Sequence, residues 1–297
     1  MFLIIGLVVV FGSIIAGYTM HGGKIVVLMQ YSEFIIIGGA ALGSIIIGYS
    51  PKAVMAIIRS VTGTLKGNPF TKSTFLELLQ AMFDLFQQSR REGLVSLERH
   101  VENPETSSIL INYPSLTKNH HAVELLCDTL KLVIMGGISV YDLSDMMDID
   151  LEAQHEDAMR VSGIMSTVGD AMPGFGIVAA VLGVVITMQA IGGPAEQVGE
   201  KVAAALVGTF LGVLLAYGIF APLAKSLENV AKCEAQYLAC IKNGIVAFAR
   251  GDNPLVCVEF ARRSIEPELR PGFAQLENVC RRRGKADTGE NAFEAAA

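Results

Sequence analysis

The sequence predicts an all-α membrane protein, with four transmembrane helices and a helical cytoplasmic domain. Charged residues are absent from four long stretches, and the intervening segments carry helix start and stop signals. The chain has 297 residues, is 52% hydrophobic and 18% charged, and contains no Trp. No Asp, Glu, Lys or Arg occurs from Met1 to Gly23, Phe34 to Pro51, Ala171 to Ala195 or Val202 to Ala224. A helix needs about 20 apolar residues to cross the hydrocarbon core. Three stretches reach that length and the second falls just short. A soluble core does not normally leave four such runs uncharged. The first run has no basic n-region and extends past a signal peptide's apolar segment, so it reads as a retained helix. The spans are placed at 1–20, 33–50, 169–191 and 201–223.

Basic residues near span ends set the orientation. Lys52, Arg59, Lys66 and Lys72 follow span two, and Lys225, Lys232 and Lys242 follow span four. The other connections hold only Lys24 and Lys201. The segments 51–168 and 224–284 therefore lie in the cytoplasm, with both termini inside. The external connections are Tyr18–Glu33 and Ile191–Lys201, the latter turning at Gly192-Gly193-Pro194. Cys127, Cys233, Cys240, Cys257 and Cys280 form no C-x-x-C pair, and reduced thiols are expected inside the cell. The net charge of -6 points to no nucleic-acid role.

Within 51–168, Thr74-x-x-Glu77 reads as a capping box opening a helix that closes at Gly93. A second helix spans His120–Met135 and stops at Gly136-Gly137. A third starts near Ser139, and a fourth covers Leu151–Met165. Leu223–Arg250 has few breakers and prolongs span four, while 285–297 reads as a disordered tail.

Span four carries Ala204, Gly208, Gly212 and Ala216 on one helical face. Small residues let a second backbone approach closely. Gly39-x-x-x-Gly43 in span two, and Gly176, Ala180 and Gly183 in span three, have the same character. These rows can pack spans within one subunit. The unbroken row on span four also suits a tight partner, including one on another chain. No carboxylate is read as lying deep in a span: Asp170 sits at the inner start of span three, and Glu196 and Glu200 at the outer loop. Proton movement through a membrane ordinarily needs an ionisable group there. A second protein is therefore expected to supply it. Pro173 opens span three and Pro222 closes span four at one membrane level, where bending breaks no additional hydrogen bond.

Three motifs resemble the MotA family of flagellar stator subunits, within the MotA/TolQ/ExbB group. They are Ser89–Pro104 around Leu97-Glu98-Arg99, Gly169–Ala180 and Val207–Gly218. The likeness covers essentially the whole chain. It implies a ring of five subunits around a MotB dimer whose helix carries the proton-accepting aspartate. It implies an inner-membrane location, no cofactor, and protons as the coupling ion. Arg90 and Glu98 match the residues that contact the rotor protein FliG, and Pro173 and Pro222 those of conformational coupling. Ala180, Thr209 and Tyr217 fall on the ion pathway. Sodium-driven relatives carry threonine where Ala180 stands, which favours protons here. Arg91, Glu92 and His100 depart from some relatives. Without the resemblance, Arg90 and Glu98 are an ordinary solvated face.

The competing reading is an ExbB- or TolQ-like energiser of outer-membrane processes, which usually has three spans. An intramembrane enzyme is disfavoured, because no H-E-x-x-H, buried Asp pair or Ser/His set lies within the spans.

Overall fold

The computed structural model describes residues 2–65 and 67–287, and no strand occurs among them. Helices α1 (Phe2–Met20), α2 (Ile25–Leu28), α3 (Tyr31–Gly48) and α4 (Pro51–Leu65) come first. Next are α5 (Lys72–Glu92), α6 (Glu98–Glu102), α7 (Pro114–Thr117) and α8 (His120–Met135). The 49-residue α9 covers Val140–Met188. It is followed by α10 (Ala195–Leu215), a π-helical turn (Ala216–Phe220), α11 (Ala221–Ala249), α12 (Pro254–Arg263) and α13 (Phe273–Asp287). Among the described residues, four helical segments are long and apolar enough to span a membrane: Leu3–Met20, Ile25–Gly48, and parts of Val140–Met188 and Ala195–Ala249.

The chain forms two compact units, the first from Met1–Gly67 and Asp157–Val230, the second from Asn68–Glu156 and Ala231–Ala297. In the first, Ile37 and Ala41 of α3 pack with Met172 and Ala179 of α9 and Leu211 of α10. Much of the remaining apolar surface faces outward, as with Val8, Ile35, Ile47 and Val181. Apolar residues all round a helix suit lipid or another chain as the neighbour.

The second unit is built on α5. Its buried face holds Phe75, Leu78, Leu79, Met82 and Phe86 at helical spacing. Phe86 stacks on Phe248 of α11 with ring centroids 4.4 Å apart, and Tyr237 meets Phe70 and Phe75. Gly244 leaves room for Met82. No disulfide joins the cysteines.

Helix α8 has the bounds expected from sequence; Asn119 caps its start and Gly136, at φ +71°, its end. Gly93, at φ +88°, closes α5 as expected. The start of α5 differs. Thr71, not Thr74, is the N-cap, and its capping-box partner is Thr74. Glu77 instead accepts hydrogen bonds from the backbone N and Oγ of Ser115, at 2.7 and 2.6 Å. The two helices expected from Ser139 to Met165 and span three are one continuous helix, α9, which runs through Gly163, Gly169 and Pro173. Lys285–Asp287, assigned to the tail, belong to α13; the rest of the tail, 288–297, lies outside the described residues.

Candidate functional site: the glycine contact of spans two, three and four

The α9–α10 contact is made by backbone. A Cβ built on Gly176 would stand 2.8 Å from the Gly208 carbonyl oxygen and 3.0 Å from the Gly212 Cα. One on Gly212 would stand 2.7 Å from the Met172 carbonyl oxygen and 2.8 Å from the Gly176 Cα. One on Gly183 would lie 2.7 Å from the Ala205 Cβ. Only glycine fits at these points, because a side chain would meet backbone that cannot turn aside. Gly208 and Gly212 of the span-four row are thus engaged by span three of the same chain. Ala216 is buried and Ala204 half-buried. Gly39 and Gly43 differ: a Cβ on either meets nothing of this chain within 4 Å.

Glu33 joins this contact from span two. It lies in the first turn of α3 and is only 5% exposed. A Cβ on Gly208 would come 2.6 Å from the Glu33 Oε2, 3.0 Å from the Ala179 Cβ and 3.2 Å from the Ala180 backbone N. Oε2 is buried without a hydrogen-bond partner. The expectation that no carboxylate lies deep in a span does not single out Glu33, which stands in the first turn of span two and is nevertheless buried. In sequence, Glu33 borders a charge-free run and resembles a loop residue; its burial comes from α10, far along the chain.

The two prolines flank a second contact, between α9 and the π-helical turn. Pro173 is inside α9, not at a helix start. Having no N–H, it cannot donate to the Gly169 carbonyl four residues earlier. A Cβ on Gly169 would fall 2.9 Å from the Cβ of Phe220, in the π-helical turn just before Pro222. Across that turn the Ala221 N–H bonds to the Ala216 carbonyl, five residues back. Span four is prolonged through α11 as expected, with the helix re-registered by this π-helical turn before Pro222. Ser162 Oγ donates to the Ala224 carbonyl at 2.8 Å, which ties α9 to α11 just beyond the proline. Interrupted ladders survive in membrane helices when neighbours satisfy the freed groups.

Ala180 and Thr209 are half-buried, and Ala180 lies beside Gly208. Tyr217 is separate from them, in the π-helical turn and 69% exposed. Arg90 and Glu98 belong to the second unit. Arg90 is exposed in the last turn of α5, and Glu98 is exposed at the start of α6. Burial pushes the Cys257 thiol up to about 11; Arg90 is one of the nearby charges opposing that rise.

These features define a multi-pass helical membrane protein whose spans meet backbone to backbone beside a buried acid. The motility protein A N-terminal family matches residues 4–93, and the MotA/TolQ/ExbB proton channel family residues 118–239. Motility protein A of Salmonella typhimurium is 36% identical over 95% of both chains. That of Escherichia coli is 35% identical over the same shares. Chemotaxis protein LafT of Vibrio parahaemolyticus is 34% identical over 92% of this chain and 96% of its own. The fold matches the C. jejuni MotAB structure with a TM-score of 0.74 at 21% identity, covering 90% of this chain and 96% of that one. For the flagellar MotAB stator complex from Bacillus subtilis the TM-score is 0.69 at 21% identity, covering 86% and 92%. The chain belongs to the motility protein A family, a family of membrane proteins and not of enzymes.

Proposed function

We propose that this chain is the stator subunit of a bacterial flagellar motor, forming a proton-conducting unit with a MotB-like subunit and turning ion flow into torque. The likeness to motility protein A over 95% of both chains carries the reading. The energiser reading is weakened because the N-terminal motility protein A family matches residues 4–93. The MotAB complexes of similar fold support a MotB-type partner and a multi-chain assembly. We take the assembly to be five copies around a partner dimer in the inner membrane, with both termini and the second unit in the cytoplasm. The rotor partner is FliG, met through the exposed Arg90 and Glu98.

Protons, without a cofactor, are the coupling ion. They enter between the ring and the partner helices and neutralise the partner's carboxylate. Removing a charge from an apolar site shifts the balance of packing around it. The change passes along spans three and four through the contact of Gly169 with Phe220, flanked by Pro173 and Pro222. Moving one charge across the membrane releases about 2.3 kcal/mol per 100 mV, whereas an exposed ion pair is worth about 0–1 kcal/mol. Rotor contacts can therefore be weak and repeatedly remade while the gradient drives them. Replacing Pro173 with Ala restores the missing ladder hydrogen bond. It should abolish rotation while the complex still assembles in the membrane. Normal swimming would overturn the coupling scheme.

A further inference from the structure

We propose that Glu33 is a second protonatable site of the conducting unit, supplied by this chain, where a proton is taken up and released beside Gly208 and Ala180. The inference rests on the conducting role proposed above.

Three observations place the site. The carboxyl is buried, and its Oε2 has no hydrogen-bond partner. An ionised carboxylate is costly in such surroundings unless a proton or counter-charge meets it. The space it occupies exists because residue 208 has no side chain, since a Cβ there would come 2.6 Å from Oε2. The same point lies beside Ala179 and Ala180, so the acid stands where spans two, three and four converge.

Few ionisable groups compete for that proton. On α10 the neighbour is Gly208, followed by the Thr209 hydroxyl; Glu196, Glu200 and Lys201 lie about two turns or more toward its start. Span three contributes Ala179 and Ala180. The short α2, which also packs on α10, has no ionisable residue, and Lys24 precedes it. On α3 the next residues inward on the same face are the buried Ile37 and Ala41. Proton uptake converts carboxylate to carboxylic acid, and release restores it, so no electron or second reactant is needed. Intramembrane acids in apolar contacts are rare and ordinarily functional.

The test uses the whole complex with its partner, reconstituted in sealed vesicles. Proton flux is measured against the pH on the outer side. Glu33→Gln keeps the shape and should assemble normally. Its flux should fall at least tenfold and lose the wild type's dependence on outer pH. Glu33→Asp should conduct with a displaced pH midpoint. Flux and pH profile unchanged in both variants would overturn the proposal and leave the acid a packing element. If Glu33→Gln fails to assemble, the midpoint of Glu33→Asp decides alone. A wild-type complex that passes no protons would instead overturn the conducting role, and this site with it.

Discussion

The two units solve the same packing problem with opposite residues. In the membrane unit, α9 and α10 meet through Gly176, Gly208 and Gly212, residues without side chains. In the second unit, α5 and α11 meet through Phe86 and Phe248, with Tyr237 against Phe70 and Phe75. The difference follows from the solvent. In water, burying a large apolar side chain is itself the driving force. In lipid the tails are as apolar as any side chain, so helices gain by bringing backbones close. Each unit buries ionisable groups: the Glu33 Oε2 of the membrane unit and the Tyr237 hydroxyl of the second unit lack a hydrogen-bond partner, whereas His100 of the second unit has both ring nitrogens engaged.

The sharpest way to break the comparison is to add side chain where there is none. A Cβ on Gly212 would already stand 2.7 Å from the Met172 carbonyl oxygen. Gly212→Val should therefore force α9 and α10 apart. The expected outcome is loss of the chain from the membrane fraction and complete loss of swimming, read by immunoblot and motility assay. Normal accumulation of the variant would mean that the two spans do not depend on backbone contact.

The converse change removes side chain from the second unit. Phe86 is fully buried, and Phe86→Ala should cost about 3–5 kcal/mol through lost burial and the cavity left behind. The spans should still insert, because nothing in their packing uses this residue. Limited proteolysis of membranes should then cut within residues 68–156 of the variant while the wild type resists. A variant that resists equally would show that the aromatic stack is not what holds this unit.

The same contrast explains which features were legible in the sequence. The spans were readable because charge is excluded along a whole run. Helices α5 and α8 were readable because Gly93 and Gly136 mark their ends locally. The single helix α9 was not, because Pro173 reads locally as the start of a new helix, whereas neighbouring helices let the ladder run through it. The capping box was misplaced because Glu77 fits the local pattern, yet its carboxylate is taken by Ser115, distant in sequence. The row on span four was visible, but its partner depends on which face of α9 lies opposite. Glu33 was missed for that reason too, since its burial depends on Gly208.

The smallest expected effect sharpens the polar half of the comparison. His100 is 1% exposed, with Nδ1 2.7 Å from Ser107 Oγ and Nε2 3.2 Å from the Arg99 Nε donor. Arg99 always donates, so Nε2 accepts and the ring is neutral, with Nδ1–H donating to Ser107. Burial, aided by the Arg99 charge and opposed by Glu92, holds the imidazolium pKa below its ordinary value. Elsewhere around α6, Glu105 lies on the following turn, and Asp128 and Lys131 lie on α8 with Glu102 near Lys131. The unfolded chain then binds a proton more readily than the folded one, so stability is full above the unfolded value of about 6.5 and falls as pH drops toward the folded value. Between about pH 7.5 and about pH 5.5, the purified complex should lose more thermal stability in its second unit than the His100→Gln variant does. Parallel curves for the two proteins would show that this histidine's protonation is not coupled to the fold. A steeper fall in wild type would show that the folded second unit holds His100 paired and neutral, in contrast to Glu33, whose Oε2 has no partner.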